Sequence, residues 1–209
     1  MQKENGYSVY MDEAITYVDN KKRHRSGHMT HAMCEFQEGK FIDFNSSCSA
    51  VRAGGHTPYG YVEYRIGSDY GRSYFGTKIL PFSYDTLMDA LFTVSVEKAV
   101  ACRDGSILAF CLRNTMVDEW CCEPWLTPYA VRSTDGGETW ELCEPCFLDR
   151  GIRNPQTAVI DGVYVCHGRG AQSLGAKGFV FYTSLDGKSR EPAITPIIFC
   201  LPKGVKASY

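Results

Sequence analysis

The sequence lacks an apolar run approaching the roughly 18 residues that a membrane-spanning helix needs, and Met1-Gln2-Lys3-Glu4-Asn5-Gly6 has no apolar stretch of the kind a secretory leader carries. The expectation is a cytoplasmic protein with no membrane partner. It also lacks an excess of charge: 22 Lys and Arg against 24 Asp and Glu leave −2, so no global cationic field holds a polyanion, and nucleic acid is not an expected partner. A disordered composition is absent as well. With 44% hydrophobic and 22% charged residues over 209 positions, the chain can bury a core of its own.

Cysteine is abundant, yet without a leader the ten thiols are expected to be mostly reduced, which excludes a disulfide scaffold. Cys34, Cys102, Cys111, Cys166 and Cys200 lie in apolar runs and read as small core residues. Cys121-Cys122 with Cys143-Glu144-Pro145-Cys146 offers four thiolates to zinc, but an adjacent pair converges poorly on one tetrahedron. The expectation is therefore no metal and no cofactor.

What is present is glycine, aromatics and short alternating apolar segments cut by turn residues, the signature of strands. One predicted hairpin runs from Met33 to Phe44 with Glu38-Gly39 at its turn. The next runs from Ala99 to Phe110, with Asp104-Gly105 where a tight turn needs positive φ, and the third from Thr157 to Cys166 around Asp161-Gly162. These recur at a period of about 60 residues, the mark of a repeat architecture. A further strand follows each hairpin (Tyr59 to Ile66, Tyr129 to Arg132, Gly178 to Thr183), and then a second turn. In the middle copy that turn is Ser133-Thr134-Asp135-Gly136-Gly137-Glu138-Thr139-Trp140, and in the first a looser Gly67-Ser68-Asp69-Tyr70-Gly71-Arg72-Ser73-Tyr74. Asp69 and Asp135 lie equally far beyond their hairpin glycines. The third copy, Ser184-Leu185-Asp186-Gly187, has no aromatic and reads as degenerate. Chemically the motif is structural: the aspartate accepts from its own turn, glycine supplies the left-handed residue, and the aromatic packs between strands.

Ser133 to Trp140 resembles the Asp-box, S-x-D-x-G-x-x-W, of the BNR repeats in sialidases and related β-propellers, with Asp69 and Gly71 in the partial copy and Ser133, Asp135, Gly137 and Trp140 in the full one. The resemblance covers roughly residues 28 to 200. It implies an all-β fold: a partial, about three-bladed, version of the sialidase-like six-bladed propeller, built of four-stranded antiparallel sheets. Residues 1–27 would be a lead-in strand and basic linker, 28–90, 91–150 and 151–200 the blades, and 201–209 the start of the next. So few blades cannot close a ring, so the expectation is a truncated protein, or one that a partner completes, prone to associate through open blade faces.

In an up-and-down sheet the first and third turns lie at one end, and the start of the first strand and the second turn at the other. The Asp-boxes then mark the end away from any ligand. The opposite end collects a polar, sugar-like inventory: His31, Arg113, Arg153, Asn154, Gln156 and Arg169 as candidate binding residues, with Asp118 and Glu119 as a candidate acid/base pair. A salt bridge is the competing reading for each arginine, a solvated loop for the two acids, and a satisfied strand histidine for His31.

Sialidases clamp a sugar carboxylate with three arginines, use an aspartate as acid/base and attack with a tyrosine, and two of those positions are empty here. The stretch matching the family's Arg-Ile-Pro is Met29-Thr30-His31-Ala32, and residues 46–58, where the acid belongs, hold no carboxylate. The resemblance thus implies a sialidase-like glycoside hydrolase, or a fragment of one, acting on terminal sugars; the alternative is a non-catalytic propeller that binds glycan or protein.

Overall fold

A computed structural model describes residues 10–14, 19, 22, 31–51, 58–90, 92–115, 127–143, 153–160, 163–169 and 179–189. Three antiparallel sheets follow one another along the chain. The first contains β1 (His31–Gln37), β2 (Lys40–Val51), β3 (Pro58–Ser68) and β4 (Ser73–Ile79) in sequential order. The second contains β5 (Phe92–Ala101), β6 (Ile107–Thr115), β7 (Thr127–Ser133) and β8 (Glu141–Cys143), again in order. The third pairs β9 (Arg153–Ile160), β10 (Val163–Arg169) and β11 (Phe179–Ser184). The first strands of successive sheets pack on one another, β1 against β5 and β5 against β9, so the sheets radiate from a shared edge. Helix α1 (Pro81–Ala90) links the first sheet to the second. Tyr10–Ala14 have no regular structure, and most of the expected lead-in strand and basic linker lies outside the described residues. Of the basic run 21–25 only Lys22 is described, exposed and paired with Asp19 at 3.6 Å.

Period-two alternation makes the seam between the first two sheets. Ala32, Ile42, Phe44, Val62 and Tyr64 on one side meet Val94, Val96, Ile107, Ala109, Cys111 and Val131 on the other, all buried. Cys34 packs against this cluster, and burial pushes its thiol up to about 12, as fits a core residue rather than a ligand. Trp140 closes one end of the seam, with its ring centroid 5.5 Å from Phe44 and 5.7 Å from Tyr64, both edge-on. Tyr64 Oη donates to the Gly137 carbonyl at 2.7 Å, and Lys78 pairs with Glu138 at 2.6 Å. The turn of the second sheet is thus bolted to the first. Gly137 has φ +90°, and a Cβ there would stand 3.3 Å from Ile42 Cδ1, so both conformation and packing require glycine.

Inside that turn Asp135 Oδ1 accepts from Ser133 Oγ (2.8 Å), Glu138 N (3.0 Å) and Thr139 N (2.9 Å), and Oδ2 from Thr139 Oγ1 (2.5 Å). The third copy reproduces this set without an aromatic, correcting the expectation that it had decayed. Asp186 Oδ1 accepts from Ser184 Oγ (3.0 Å), Lys188 N (2.7 Å) and Ser189 N (2.7 Å), while Gly187 N donates to Ser184 Oγ at 2.9 Å. The first copy is the one that departs. Asp69 and Tyr70 both take positive φ, 50° and 56°, and the turn is held by a Ser68–Ser73 hydroxyl contact (2.7 Å) and by Tyr70 N donating to Gly39 O (3.1 Å).

The Asp104-Gly105 hairpin is also wider than expected. Gly105 N donates to Cys102 O at 3.0 Å, so Arg103-Asp104 form the turn and Gly105, at φ +81°, is the left-handed residue after it. This frees Asp104 to accept from Ser106 Oγ (2.6 Å) and to pair with Arg132 (2.6 Å), which also donates to Asp186 O at 3.0 Å and so ties the second sheet to the third.

Hydrogen bonds from Ser106, with the Arg132 guanidinium, hold Asp104 at about 2, below the ordinary 3.8. A depressed carboxylate stabilises the fold above its unfolded value and loses that contribution as pH falls through the folded one. With Asp104 57% exposed, solvent screening limits this to about 1 kcal/mol. Urea unfolding should find Asp104→Asn less stable than wild type at about pH 5, the gap closing as pH falls from about 4 to about 2. A gap that stays constant to the acid limit would contradict it.

Candidate functional site

The two ends of the sheets differ in chemistry. At the turn end lie Gly39, Asp69 and Gly71 in the first sheet and Gly105, Ser133, Asp135, Gly137 and Trp140 in the second. A cleft of about 730 Å³ opens here, lined among others by Phe36, Lys40, Ile66, Phe75, Asp135 and Glu138. Its two carboxylates are already committed. Thr139 and Ser133 keep Asp135 well below the usual carboxylate range, so it stays ionised and is a poor proton donor, while Glu138 is paired to Lys78. Among the described residues this cleft has no free acid/base pair.

At the opposite end the register brings the candidate cations together. Arg153 opens β9 and stands directly across from Arg169, the last residue of β10, which pairs in turn with Phe179. Asn154 and Gln156 follow on β9, Gln156 across from His167. β9 is the strand of its sheet that packs on β5, so this group lies towards the shared edge. His31 begins β1 opposite Asn45.

Arg113 sits near the end of β6, opposite Val94 and Thr127. Its Cζ lies 5.0 Å over the Tyr129 ring, and Tyr129 packs on Phe82 of α1 at 5.2 Å. Sequence reasoning missed Phe82, Tyr129 and the helix. It also missed a buried polar row on the far face of the first sheet, Asp43, Asn45 and Glu63, in which neither amide atom of Asn45 has a hydrogen-bond partner. The available signals were Pro81 at a helix start and the polar positions alternating along β2.

Asp118 and Glu119 lie outside the described residues, as do Cys121, Cys122 and Cys146 of the zinc set. Cys143 is half-buried with its thiol raised by burial, and among the described residues no three His, Cys, Asp or Glu gather into a metal site. No described helix is long and apolar enough to cross a membrane.

No family model matches the chain, and no curated protein does. Solved structures do. The sialidase of Trypanosoma rangeli in complex with the inhibitor DANA superposes with a TM-score of 0.54 at 15% identity, over 73% of this chain and 26% of that one. The same enzyme with 2,3-difluorosialic acid, a covalent intermediate, gives 0.57 at 15% identity, over 78% and 27%. A family 117 glycoside hydrolase of the marine bacterium Zobellia galactanivorans gives 0.57 at 10% identity, over 78% and 55%. This chain has a sialidase-like propeller fold. At these identities the likeness is one of fold, and the chain spans about a quarter of the sialidase and about half of the family 117 enzyme. The three sheets are blades of a partial propeller, a fold shared by glycosidases.

Asp135→Asn should lower the unfolding temperature measured by calorimetry, because the amide cannot accept the same set of hydrogen bonds. An unchanged unfolding temperature would contradict the structural role of this turn.

Proposed function

We propose that this chain is part of a sialidase-like glycoside hydrolase that takes a carboxylate-bearing terminal sugar of a glycan at the strand ends opposite the turns. The observation that carries the reading is the pairing of Arg153 with Arg169. Like charges directly opposite on adjacent strands destabilise a sheet, and a bridging carboxylate turns that repulsion into charge-assisted hydrogen bonds. Arg113 supplies a third guanidinium from the same end of the neighbouring blade, and Asn154, Gln156 and His31 suit sugar hydroxyls.

Asp118 and Glu119 belong to the connection between β6 and β7, which leaves the sheet beyond Arg113, and one of them acts as general acid/base in this reading. The sialidase resemblance implies retaining chemistry through an oxocarbenium-like transition state. In this reading the turns at Asp135 and Asp186 are Asp-boxes, the turn at Asp69 is a departing copy, and none of the three takes part in it.

A second reading, a non-catalytic propeller that binds glycan or protein, is favoured by one specific observation: residues 29–32 hold no arginine and 46–58 no carboxylate.

Fluorogenic glycosides, with and without a sugar carboxylate, separate the two. The enzyme reading expects turnover of an acidic glycoside, lost in an Asp118→Asn/Glu119→Gln double variant, with Arg153→Met raising KM by about tenfold or more, the scale of a charge-assisted hydrogen bond. Silence across the panel with glycan binding retained supports the second reading, and absence of any glycan binding contradicts the first and leaves protein as the ligand of the second.

A further inference from the structure

We infer that the outward face of the first blade is a docking strip for the chain's own basic run, with Arg23 and Arg25 seated over Asp43, Asn45 and Glu63, so that this segment seals the blade on the side away from the seam. The two faces of β2 and β3 differ in polarity. Towards the second blade they present Ile42, Phe44, Val62 and Tyr64, all buried. Away from it they present Asp43, Asn45, Glu63 and Arg65, with Asn45 across from Glu63 and Asp43 across from Arg65. Asp43, Asn45 and Glu63 are only 3–5% exposed. On the same face Met33 of β1, across from Asp43, is 55% exposed, and Ile79 of β4, across from Glu63, is 41% exposed. The middle of the face is covered while its margins are open, the footprint of one extended chain rather than of a second sheet. Among the described residues, the main packing partners of β2 are its own sheet, the turn at Asp69 to Gly71 and, on the seam side, β5. The cover therefore comes from another part of the same chain.

Path and charge name the segment. Asp12 meets Arg72 at 3.3 Å, beside the turn that links β3 and β4, whereas β1 begins with His31 at the opposite end of the blade. Residues 13–30 therefore pass from one end of the blade to the other, and extended at about 3.3 Å per residue they reach beyond the roughly 40 Å of the 12-residue β2. In that stretch lies Lys21-Lys22-Arg23-His24-Arg25. The Lys22 side chain is turned outward, 85% exposed and paired with Asp19 at 3.6 Å. Side chains alternate along extended backbone, so Arg23 and Arg25 share the side opposite Lys22. Buried carboxylates persist where cations and donors meet them, and two carboxylates beside the one guanidinium of Arg65 make the strip acidic. Neither amide atom of Asn45 has a hydrogen-bond partner, and one peptide group, acceptor and donor together, complements both. A polar strip of this kind does not take a further blade by the apolar packing that joins the second blade to the first.

Two measurements on the full chain test this. The first labels arginines with a dicarbonyl reagent under native conditions and reads each position by mass spectrometry, with the exposed Arg72 as reference. In wild type Arg23 and Arg25 should react about tenfold or more slowly than Arg72, and in Glu63→Gln their rates should rise towards that of Arg72 while Arg72 itself is unchanged. The second is the urea midpoint of unfolding. Glu63→Gln and Arg23→Gln/Arg25→Gln should each lower it, and the two combined should lower it no further than the arginine pair alone. Asp43→Asn takes the place of Glu63→Gln in both experiments if the latter does not fold. Arg23 and Arg25 as reactive as Arg72 in wild type overturn the proposal, as do midpoint losses that simply add. Arginines that are slow in wild type and stay slow in the carboxylate variant are covered somewhere other than on this strip, and that result overturns it too.

Discussion

Trp140 wedged edge-on between Phe44 and Tyr64 is the contact on which the rest depends, because it converts two sheets into one body. Each sheet is an antiparallel meander that could form from local pairing, but a single sheet leaves one apolar face wet. The indole caps that face at the turn end, and Tyr64 Oη secures the same turn through the Gly137 carbonyl. Edge-to-face aromatic pairs add about 0.5–1.5 kcal/mol each beyond the area they bury, a substantial share of the net stability of an ordinary domain. The second seam uses different chemistry for the same end: Arg132 reaches the Asp186 carbonyl of the next turn while paired to Asp104.

This division of labour explains why the two ends of the molecule differ. At the turn end Asp135 and Asp186 are taken up by their own backbone and hydroxyl donors, and among the described residues the nearby cleft has no uncommitted acid. At the other end Arg113 lies near the end of β6, Arg153 opens β9 and Arg169 closes β10, and the Arg113 guanidinium stacks on the Tyr129 ring.

The hairpins were legible because Gly39 and Gly105 take the positive φ that their positions demand, and the middle box because each of its residues has one physical task. The third box was misjudged by weighting its missing aromatic over the Ser184, Asp186 and Gly187 set that makes the hydrogen bonds. The Asp104 turn was placed one residue out, since Asp-Gly fits both a two-residue turn and the residue pair that leads into a left-handed bulge. Helix α1 was invisible because ten residues between strands, without a strong polar face, give no clear period; Pro81 was the lone cue. Of the candidate site residues, the register of Arg153 opposite Arg169 followed from meander geometry. The stacking of Arg113 on Tyr129 did not, since it needs the register that sets Tyr129 on the same face and a helix that brings Phe82 across the seam.

The most direct test is a double-mutant cycle on unfolding free energy across the first seam, using Tyr64→Leu, Trp140→Leu and the pair. Interlocked blades predict a single cooperative transition and a coupling energy of about 1 kcal/mol or more between the two positions. Additive losses, within about 0.3 kcal/mol, would show that the blades do not depend on this contact and would contradict the account.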